Sequence, residues 1–190
     1  MIFKKSNWFI LFSIFLLSLF EIILLINGKT ELAYYNFMLL LMFILISFLF
    51  FKFKIPIFYL IGLLFVGLLN VIGGLVFIDG VRLYDTYFWF FKLDMLIHFI
   101  ALFFTTLIIF FILGNFIEKK SKNKYKIYLI IVSGLSALGI GAFFEILEFL
   151  GVVILKNSGV GDYVNNVLDL IFNLLGIFFA SLFILFKRNG

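Results

Sequence analysis

The chain contains no cysteine and a single histidine among its 190 residues. The absence of cysteine excludes disulfide bonds, zinc sites with thiolate ligands and cysteine nucleophiles. One histidine excludes a zinc site built from three histidines. It also argues against a di-iron centre in a helix bundle, because that centre uses two Glu-x-x-His motifs.

Two further motifs are incomplete. The segment around Ser136 lacks the Gly-x-Ser-x-Gly elbow of serine hydrolases, and we expect Ser136 and His98 to lie in opposite halves of the membrane. Gly159-Val-Gly161 leads into a helix, but no phosphate-loop pattern follows it. The sequence therefore favours neither serine-dependent proteolysis nor a phosphate-loop nucleotide site.

Hydrocarbon side chains, in contrast, are abundant. Apolar residues make up 65% of the chain, and its mean hydropathy is +1.27. A soluble domain of this length cannot bury so much apolar surface in one core. The composition indicates a protein that crosses a membrane several times.

Six apolar segments are each close to the ~20 residues that a helix needs to span a membrane. We therefore predict an all-α, polytopic bundle forming a single membrane domain over residues 1–190. The first segment is longer than a signal-peptide core, and no small-x-small cleavage site follows it, so we expect it to be retained as an anchor. The predicted helices are Asn7–Ile26, Leu32–Phe51, Ile57–Ile78, Leu93–Phe116, Ile127–Leu150 and Val164–Phe186.

The basic residues predict the orientation of the bundle. Of the 15 Lys and Arg residues, all but Lys29, Arg82, Lys92 and Lys156 lie on the side that carries both termini. By the positive-inside rule, we expect both termini in the cytoplasm and the protein in the cell (plasma) membrane. The basic run Glu118–Lys126 then faces anionic membrane lipids, and we expect no nucleic-acid partner.

Tyrosine and tryptophan residues lie near the predicted helix ends, as expected of aromatic belts at the two interfaces. They are Trp8, Tyr34, Tyr35, Tyr84, Tyr87, Trp89, Tyr125 and Tyr163. The loop Asp79–Lys92 is rich in aromatic residues, and we expect it to lie in the outer interface as a short helix or a lid.

Ionisable residues of three helices collect at one depth, in the outer half of the predicted bundle. They are Asp94 and His98 in the fourth helix, Glu145 and Glu148 in the fifth, and Asp162 and Asp169 at the start of the sixth. Asp94 and His98 are four residues apart and share one helix face. Asp162 precedes the sixth helix, so it is equally expected to act as an N-cap.

Small residues continue the same helix faces deeper into the membrane. Ser133, Ala137 and Gly141 precede Glu145 at intervals of four, and Asn173, Gly176 and Ala180 follow Asp169 at helical spacing. Small residues in such rows allow helix backbones to approach closely. The pattern predicts a tightly packed floor below an outward-facing acidic cavity.

A carboxylate in hydrocarbon costs ~2.5–3.5 kcal/mol or more on insertion scales, and several carboxylates together also repel one another. A bound metal ion, protonation, or pairing with a basic loop residue relieves this cost. The candidate metal ligands are Asp94, His98, Glu145, Glu148, Asp162 and Asp169. Carboxylate-rich ligation suits Mg²⁺, Mn²⁺ or Ca²⁺ at least as well as Zn²⁺.

The same residues resemble known family patterns over about residues 70–176. Asp94-x-x-x-His98, Glu145-Ile-Leu-Glu148, Gly161-Asp162 and Asp169 resemble the YjdF-like family of multi-pass inner-membrane proteins. In that family another Asp is expected where this chain has Asn165. Asp169, Asn173 and Gly176 are more broadly similar to VanZ-like membrane proteins, which are associated with glycopeptide resistance. Neither resemblance implies a settled reaction.

The sequence leaves three functions open. The first is a metal-dependent hydrolase or transferase acting on a lipid or lipid-linked phosphate, with His98, Glu145 and Glu148 as candidate catalytic residues. The second is a cation or proton transporter, although the apolar inner halves of the helices argue against a continuous pathway. The third is a non-catalytic accessory protein with a structural polar core.

Overall fold

A computed structural model describes residues 2–118, 121–155 and 163–187 of the chain. Six helices account for most of these residues, and each contains a stretch long and apolar enough to cross a membrane. The predicted six-helix membrane bundle is thereby confirmed. The helices are α1 (Ile2–Ile26), α2 (Thr30–Phe53), α3 (Ile57–Leu75), α4 (Leu93–Gly114), α5 (Lys122–Leu155) and α6 (Tyr163–Phe186).

Helix boundaries differ from the prediction by up to five residues, most clearly in α1, α3 and α5. Helix α3 ends at Leu75 rather than Ile78, and α5 begins at Lys122 and continues to Leu155. At its C-terminal end α5 packs against α2, where Tyr34 donates a hydrogen bond to the carbonyl oxygen of Leu147 at 2.8 Å. The length of the apolar segment underestimates the length of α5, because the first turns of this helix contain lysines, which are compatible with a helix but are not apolar.

The loop between α3 and α4 is not the short interfacial helix that was one of the two expectations, because it forms two short hairpins; the other expectation, a lid, stays a prediction. Strands β1 (Phe77–Ile78) and β2 (Val81–Arg82) pair antiparallel around Asp79 and Gly80. Both turn residues have positive φ, 50° and 80°, as a type I′ turn requires. After a single 3₁₀ turn, β3 (Tyr87–Phe88) pairs with β4 (Phe91–Lys92).

Many large apolar side chains of the helices point away from the bundle and remain exposed, as lipid-facing residues do. The largest apolar core lies between α1, α2 and α3 and includes Leu17, Phe43 and Leu60. Helix α4 lies at the centre, packing against α3 and α5 and most extensively against α6. This central position lets α4 bring its polar residues into contact with those of its neighbours.

Gly176 makes the close packing of α4 and α6 possible. A Cβ atom at this position would overlap the carbonyl oxygen of Phe99 on α4. Along the same face of α6, Asp169, Asn173, Gly176 and Ala180 are all buried. The predicted stripe of polar and small residues is therefore confirmed for the described part of α6.

Candidate functional site

Asp94, His98 and Asp169 form a compact cluster between α4 and α6. Each of them offers one potential ligand atom, and these atoms all lie within 4.8 Å of one another. Asp94 and His98 occupy successive turns of α4, while Asp169 reaches them from α6. The side chains are largely buried, and Asp169 is only 1% exposed. Three groups that are widely separated in sequence thus converge at one point inside the bundle.

The His98 ring lies between two carboxyl groups. Its Nε2 atom is 3.7 Å from Oδ1 of Asp94, and its Nδ1 atom is 3.5 Å from Oε1 of Glu145 on α5. The two nitrogens therefore face different carboxyl groups on different helices. In metal sites, a carboxylate on one side of a histidine ring commonly orients the other nitrogen toward the ion.

Asn165 connects the two aspartates of the cluster. Its Nδ2 atom donates a hydrogen bond to Oδ2 of Asp169 at 2.6 Å and a longer one to Oδ2 of Asp94 at 3.4 Å. Its Oδ1 atom accepts a hydrogen bond from Nζ of Lys92 at 3.2 Å. Asn165 thus holds one oxygen of each aspartate and links both to a cation from the loop before α4.

Several polar atoms in and beside the cluster have no hydrogen-bond partner among the residues that the structure describes. They are Oδ1 of Asp169, both carboxyl oxygens of Glu145, and both side-chain polar atoms of Asn173. Buried polar atoms are normally satisfied, and an unsatisfied carboxylate oxygen is especially costly. Water, a proton or an ion at this position would satisfy them.

Glu148 lies beside the cluster at the junction of two cavities. The smaller cavity, of about 40 Å³, opens between the start of α2 and the α3–α4 loop, and Asp94, Glu148 and Arg82 line it. The larger, of about 100 Å³, extends along the helices and is lined by His98 and Glu148 among others. Of the two predicted glutamates, Glu145 therefore contacts His98, whereas Glu148 faces both cavities.

Arg82 places a positive charge at the mouth of the smaller cavity. Its Nη1 atom lies 3.3 Å from Oε1 of Glu31, and its Nε atom lies 2.9 Å from Oδ2 of Asp85. These contacts tie the loop to the first turn of α2. Arg82 is therefore a cation of the smaller cavity that is already paired with two carboxylates.

Tyr84 closes the smaller cavity from the side of the α3–α4 loop. Its hydroxyl group donates a hydrogen bond to Oδ1 of Asn70 at 2.6 Å. Burial, and after it the negative charge of Asp94, raises the pKa of Tyr84 well above its usual range. The hydroxyl group therefore stays protonated and acts as a hydrogen-bond donor at neutral pH.

Five of the six predicted site residues lie in or beside this site. Asp94, His98 and Asp169 form the cluster, and Glu145 and Glu148 lie next to it. Asp162 lies outside the described residues. Glu21 lies elsewhere in the bundle, where it accepts a hydrogen bond from Asn36 at 2.8 Å between α1 and α2.

Sequence reasoning missed the role of Asn165 and the inward-facing tyrosines. Asn165 was regarded as the loss of a ligand, yet it bridges two aspartates. Tyr34, Tyr35 and Tyr84 were placed in the aromatic belt, but all three line the larger cavity. The spacing of Asn165, four residues before Asp169 on the same helix face, was the available signal for its role.

The family model of DUF2238, described as a predicted membrane protein, matches residues 7–190 of the chain. The chain belongs to the DUF2238 family. This match extends well beyond the residues 70–176 that carry the resemblances noted above, and it covers all six helices. No curated protein and no solved structure gave a match to the chain.

Proposed function

We propose that this member of the DUF2238 family is a membrane enzyme that uses a divalent metal ion to hydrolyse or transfer the phosphate group of a lipid or lipid-linked substrate. The observation that carries the proposal is the convergence of Asp94, His98 and Asp169 inside a membrane bundle, with ligand atoms within 4.8 Å of one another. Ionisable residues at membrane depth are costly and usually serve a function.

The donor atoms suit a divalent cation. Two carboxylates and one imidazole provide the oxygen-rich ligation that Mg²⁺ and Mn²⁺ favour, and Ca²⁺ or Zn²⁺ is also compatible with this donor set. The Oδ1 atom of Asp169 is buried and accepts no hydrogen bond from a described residue, which supports the proposal that a cation binds at this point. An ion there would neutralise phosphate charge and activate water.

The surrounding residues suggest a division of roles. Glu145 faces Nδ1 of His98 at 3.5 Å, which would leave Nε2 directed toward Asp94 and the ion. Glu148 lines both cavities and is outside the three-residue cluster, so it is our candidate general base, accepting a proton from the attacking water or hydroxyl group. Arg82 lines the smaller cavity with Glu148, and binding of a phosphate group there would require Arg82 to exchange one of its two carboxylate contacts for one with the phosphate.

The resemblance to YjdF-like and VanZ-like proteins rests on several of the same residues, including Asp94, His98 and Asp169. With both termini in the cytoplasm, as the basic residues favour, the site opens toward the outside of the cell membrane. A substrate would then reach it from the outer leaflet.

A cation or proton transporter is the second candidate, and the carboxyl oxygens beside His98 that accept no hydrogen bond from a described residue favour it equally. A transport route would need polar groups along the remaining depth of the bundle. There, Thr106, Ser133 and Ser181 each donate a hydrogen bond to the carbonyl oxygen four residues earlier in their own helix. These hydroxyl groups are occupied locally, which supports an enzyme over a pathway.

A non-catalytic accessory protein is the third candidate. In that case the polar cluster would hold the helices together without an ion, and replacing its carboxylates by amides would be tolerated. The number of unpartnered polar atoms in the cluster argues against a purely structural network, because such a network is stabilising only when its members are satisfied.

Metal binding can be tested with Mn²⁺ as a paramagnetic probe. We expect stoichiometric Mn²⁺ binding by the purified protein, and loss of that binding in both His98→Ala and Asp169→Asn. Glu21→Gln is the matched control, because Glu21 pairs with Asn36 between α1 and α2. A folded wild-type protein that binds no divalent ion, yet releases phosphate from dodecyl phosphate, would overturn the metal assignment.

A further inference from the structure

The larger cavity runs down the bundle from the polar site. It has a volume of about 100 Å³ and lies between α2, α3, α4 and α5. His98, Glu148, Asn70 and Tyr84 line it at the end near the α3–α4 loop. The site and the cavity therefore share side chains, and an occupant of one can extend into the other.

The cavity extends along the helix axes. Its lining extends from Ile97 to Thr105 on α4 and from Ile140 to Glu148 on α5. At 1.5 Å per residue, each of these stretches covers ~12 Å along the helix axis. Since the hydrocarbon core of a membrane is ~30 Å thick, the cavity reaches from the site toward the middle of the bilayer.

Away from the site the lining becomes apolar. Met38, Met42, Leu63, Ala101 and Ile140 are among the residues that surround this part. A water molecule needs two to four polar partners, and this wall offers few of them. The lower part of the cavity is therefore suited to a hydrocarbon rather than to water or an ion.

We propose that this cavity holds one unbranched hydrocarbon chain of a phosphate-bearing lipid, whose head group lies at the Asp94–His98–Asp169 cluster. The inference rests on the proposed function and names its substrate class. The lining follows ~12 Å of α4 and α5 and is mostly apolar away from the site, which suits a hydrocarbon chain lying along the helices. Burial of methylene groups would supply affinity, while the polar cluster acts on the head group.

Helices α2 and α5 both line the cavity, and a chain entering from the membrane would pass between them. At the end near the site the two helices touch, because Tyr34 donates to the carbonyl oxygen of Leu147 and its ring contacts Gly151. Further down, the cavity separates them, with Met38 and Met42 on one side and Ile140 on the other. A chain entering there would lie parallel to the lipid tails outside.

Chain-length dependence of binding tests this inference. The probes are dodecyl phosphate and butyl phosphate, which share a head group, and binding is measured to protein in nanodiscs after subtraction of empty nanodiscs. We expect wild-type protein to bind dodecyl phosphate at least about tenfold more tightly than butyl phosphate, since each buried methylene group adds to affinity.

Met38→Trp places a bulkier side chain in the cavity. Leu41→Trp is the control: Leu41 lies one turn further along α2 and is 47% exposed on the lipid face. We expect the preference for the longer chain to disappear in Met38→Trp and to persist in Leu41→Trp. Ala101→Leu narrows the cavity from α4 and replaces Met38→Trp should that variant not fold. Equal affinity of the wild type for both phosphates, or equal behaviour of the two tryptophan variants, would overturn the inference.

The same samples separate this inference from the proposed function. Mn²⁺ binding is measured without any alkyl phosphate, and we expect it to be unchanged in Met38→Trp. Normal Mn²⁺ binding without a chain-length preference would contradict the hydrocarbon cavity alone. A chain-length preference in a protein that binds no metal would contradict the metal-dependent enzyme and leave the cavity assignment standing.

Discussion

Asn165 donates a 2.6 Å hydrogen bond to Asp169, one helical turn further along α6. The same amide nitrogen lies 3.4 Å from an oxygen of Asp94, so one neutral side chain holds two carboxylates that would otherwise repel each other. Lys92 donates to the opposite side of this amide. Asn165 therefore sets the spacing between the aspartates contributed by α4 and α6.

Asn165→Asp should lower the stability of the metal-free protein and make that stability depend more strongly on bound metal. The substitution removes the donor and adds a negative charge beside two carboxylates, which we expect to cost about 1–3 kcal/mol. Excess Mn²⁺ should recover part of the loss, because the new carboxylate adds a potential ligand. Thermal unfolding in EDTA and in Mn²⁺ measures both effects.

Asn27→Asp provides the control for this experiment. Asn27 donates to the carbonyl oxygen of Ile23 at the end of α1 and is exposed. We expect its substitution to leave the difference between EDTA and Mn²⁺ unchanged. A metal response of Asn165→Asp no larger than that of wild type would argue against a bridging role at a metal site.

Glu145 and Glu148 are three residues apart on α5, but we expect their substitution to affect different properties: metal affinity for Glu145 and phosphate release for Glu148. Glu145 faces Nδ1 of His98, so Glu145→Gln should weaken Mn²⁺ affinity about 10–100-fold, as loss of an orienting partner does. Glu148 lines the cavities, so Glu148→Gln should retain Mn²⁺ and reduce phosphate release from dodecyl phosphate by about 10²–10⁴-fold. The opposite pattern would reverse the two assignments.

The six spans could be predicted because the length and apolar character of a membrane helix are directly visible in the sequence. The depth of Asp94, His98, Glu145 and Asp169 followed from their positions within those spans. Their contact could not be derived in the same way, because it depends on how each helix is rotated. The close approach of α4 to α6 at Gly176 requires the glycine face of α6 to be turned toward α4, which is the face that also carries Asp169.

Two local features were missed for different reasons. Asp79-Gly80 is a strong hairpin signal, but the abundance of aromatic residues around it favoured an interfacial helix instead. Tyr34 and Tyr35 lie near a helix end, which suggested an aromatic belt, whereas both line the cavity. Position along a helix does not reveal which face a side chain occupies when nearly every neighbouring residue is apolar.

Gly176→Ala should destabilise the protein and weaken metal binding together. The new methyl group would overlap the backbone carbonyl oxygen of Phe99, so α4 and α6 must separate. Overpacking of this kind typically costs about 1–3 kcal/mol, and here it also displaces Asp169 from Asp94 and His98. Thermal unfolding and Mn²⁺ affinity are the two measurements.

Gly139→Ala is the matched control on α5. A Cβ atom at Gly139 has no neighbour within 4 Å. Because alanine is a better helix former than glycine, we expect unchanged or slightly higher stability, by up to about 1 kcal/mol, and unchanged Mn²⁺ affinity. Equal effects of the two substitutions would show that close packing at Gly176 does not hold the site together.

Cysteine labelling should place the site toward the outside of the cell, and the cysteine-free chain makes the experiment direct. Lys29 lies next to α2, whose Glu31 contacts Arg82 of the α3–α4 loop, so it marks the end of the bundle near the site. Lys124 lies at the start of α5 and marks the opposite end. By the positive-inside rule, a membrane-impermeant maleimide should label Lys29→Cys in intact cells, and Lys124→Cys only after permeabilisation. The reverse result would place the site on the cytoplasmic side, so that its substrate would come from the inner leaflet.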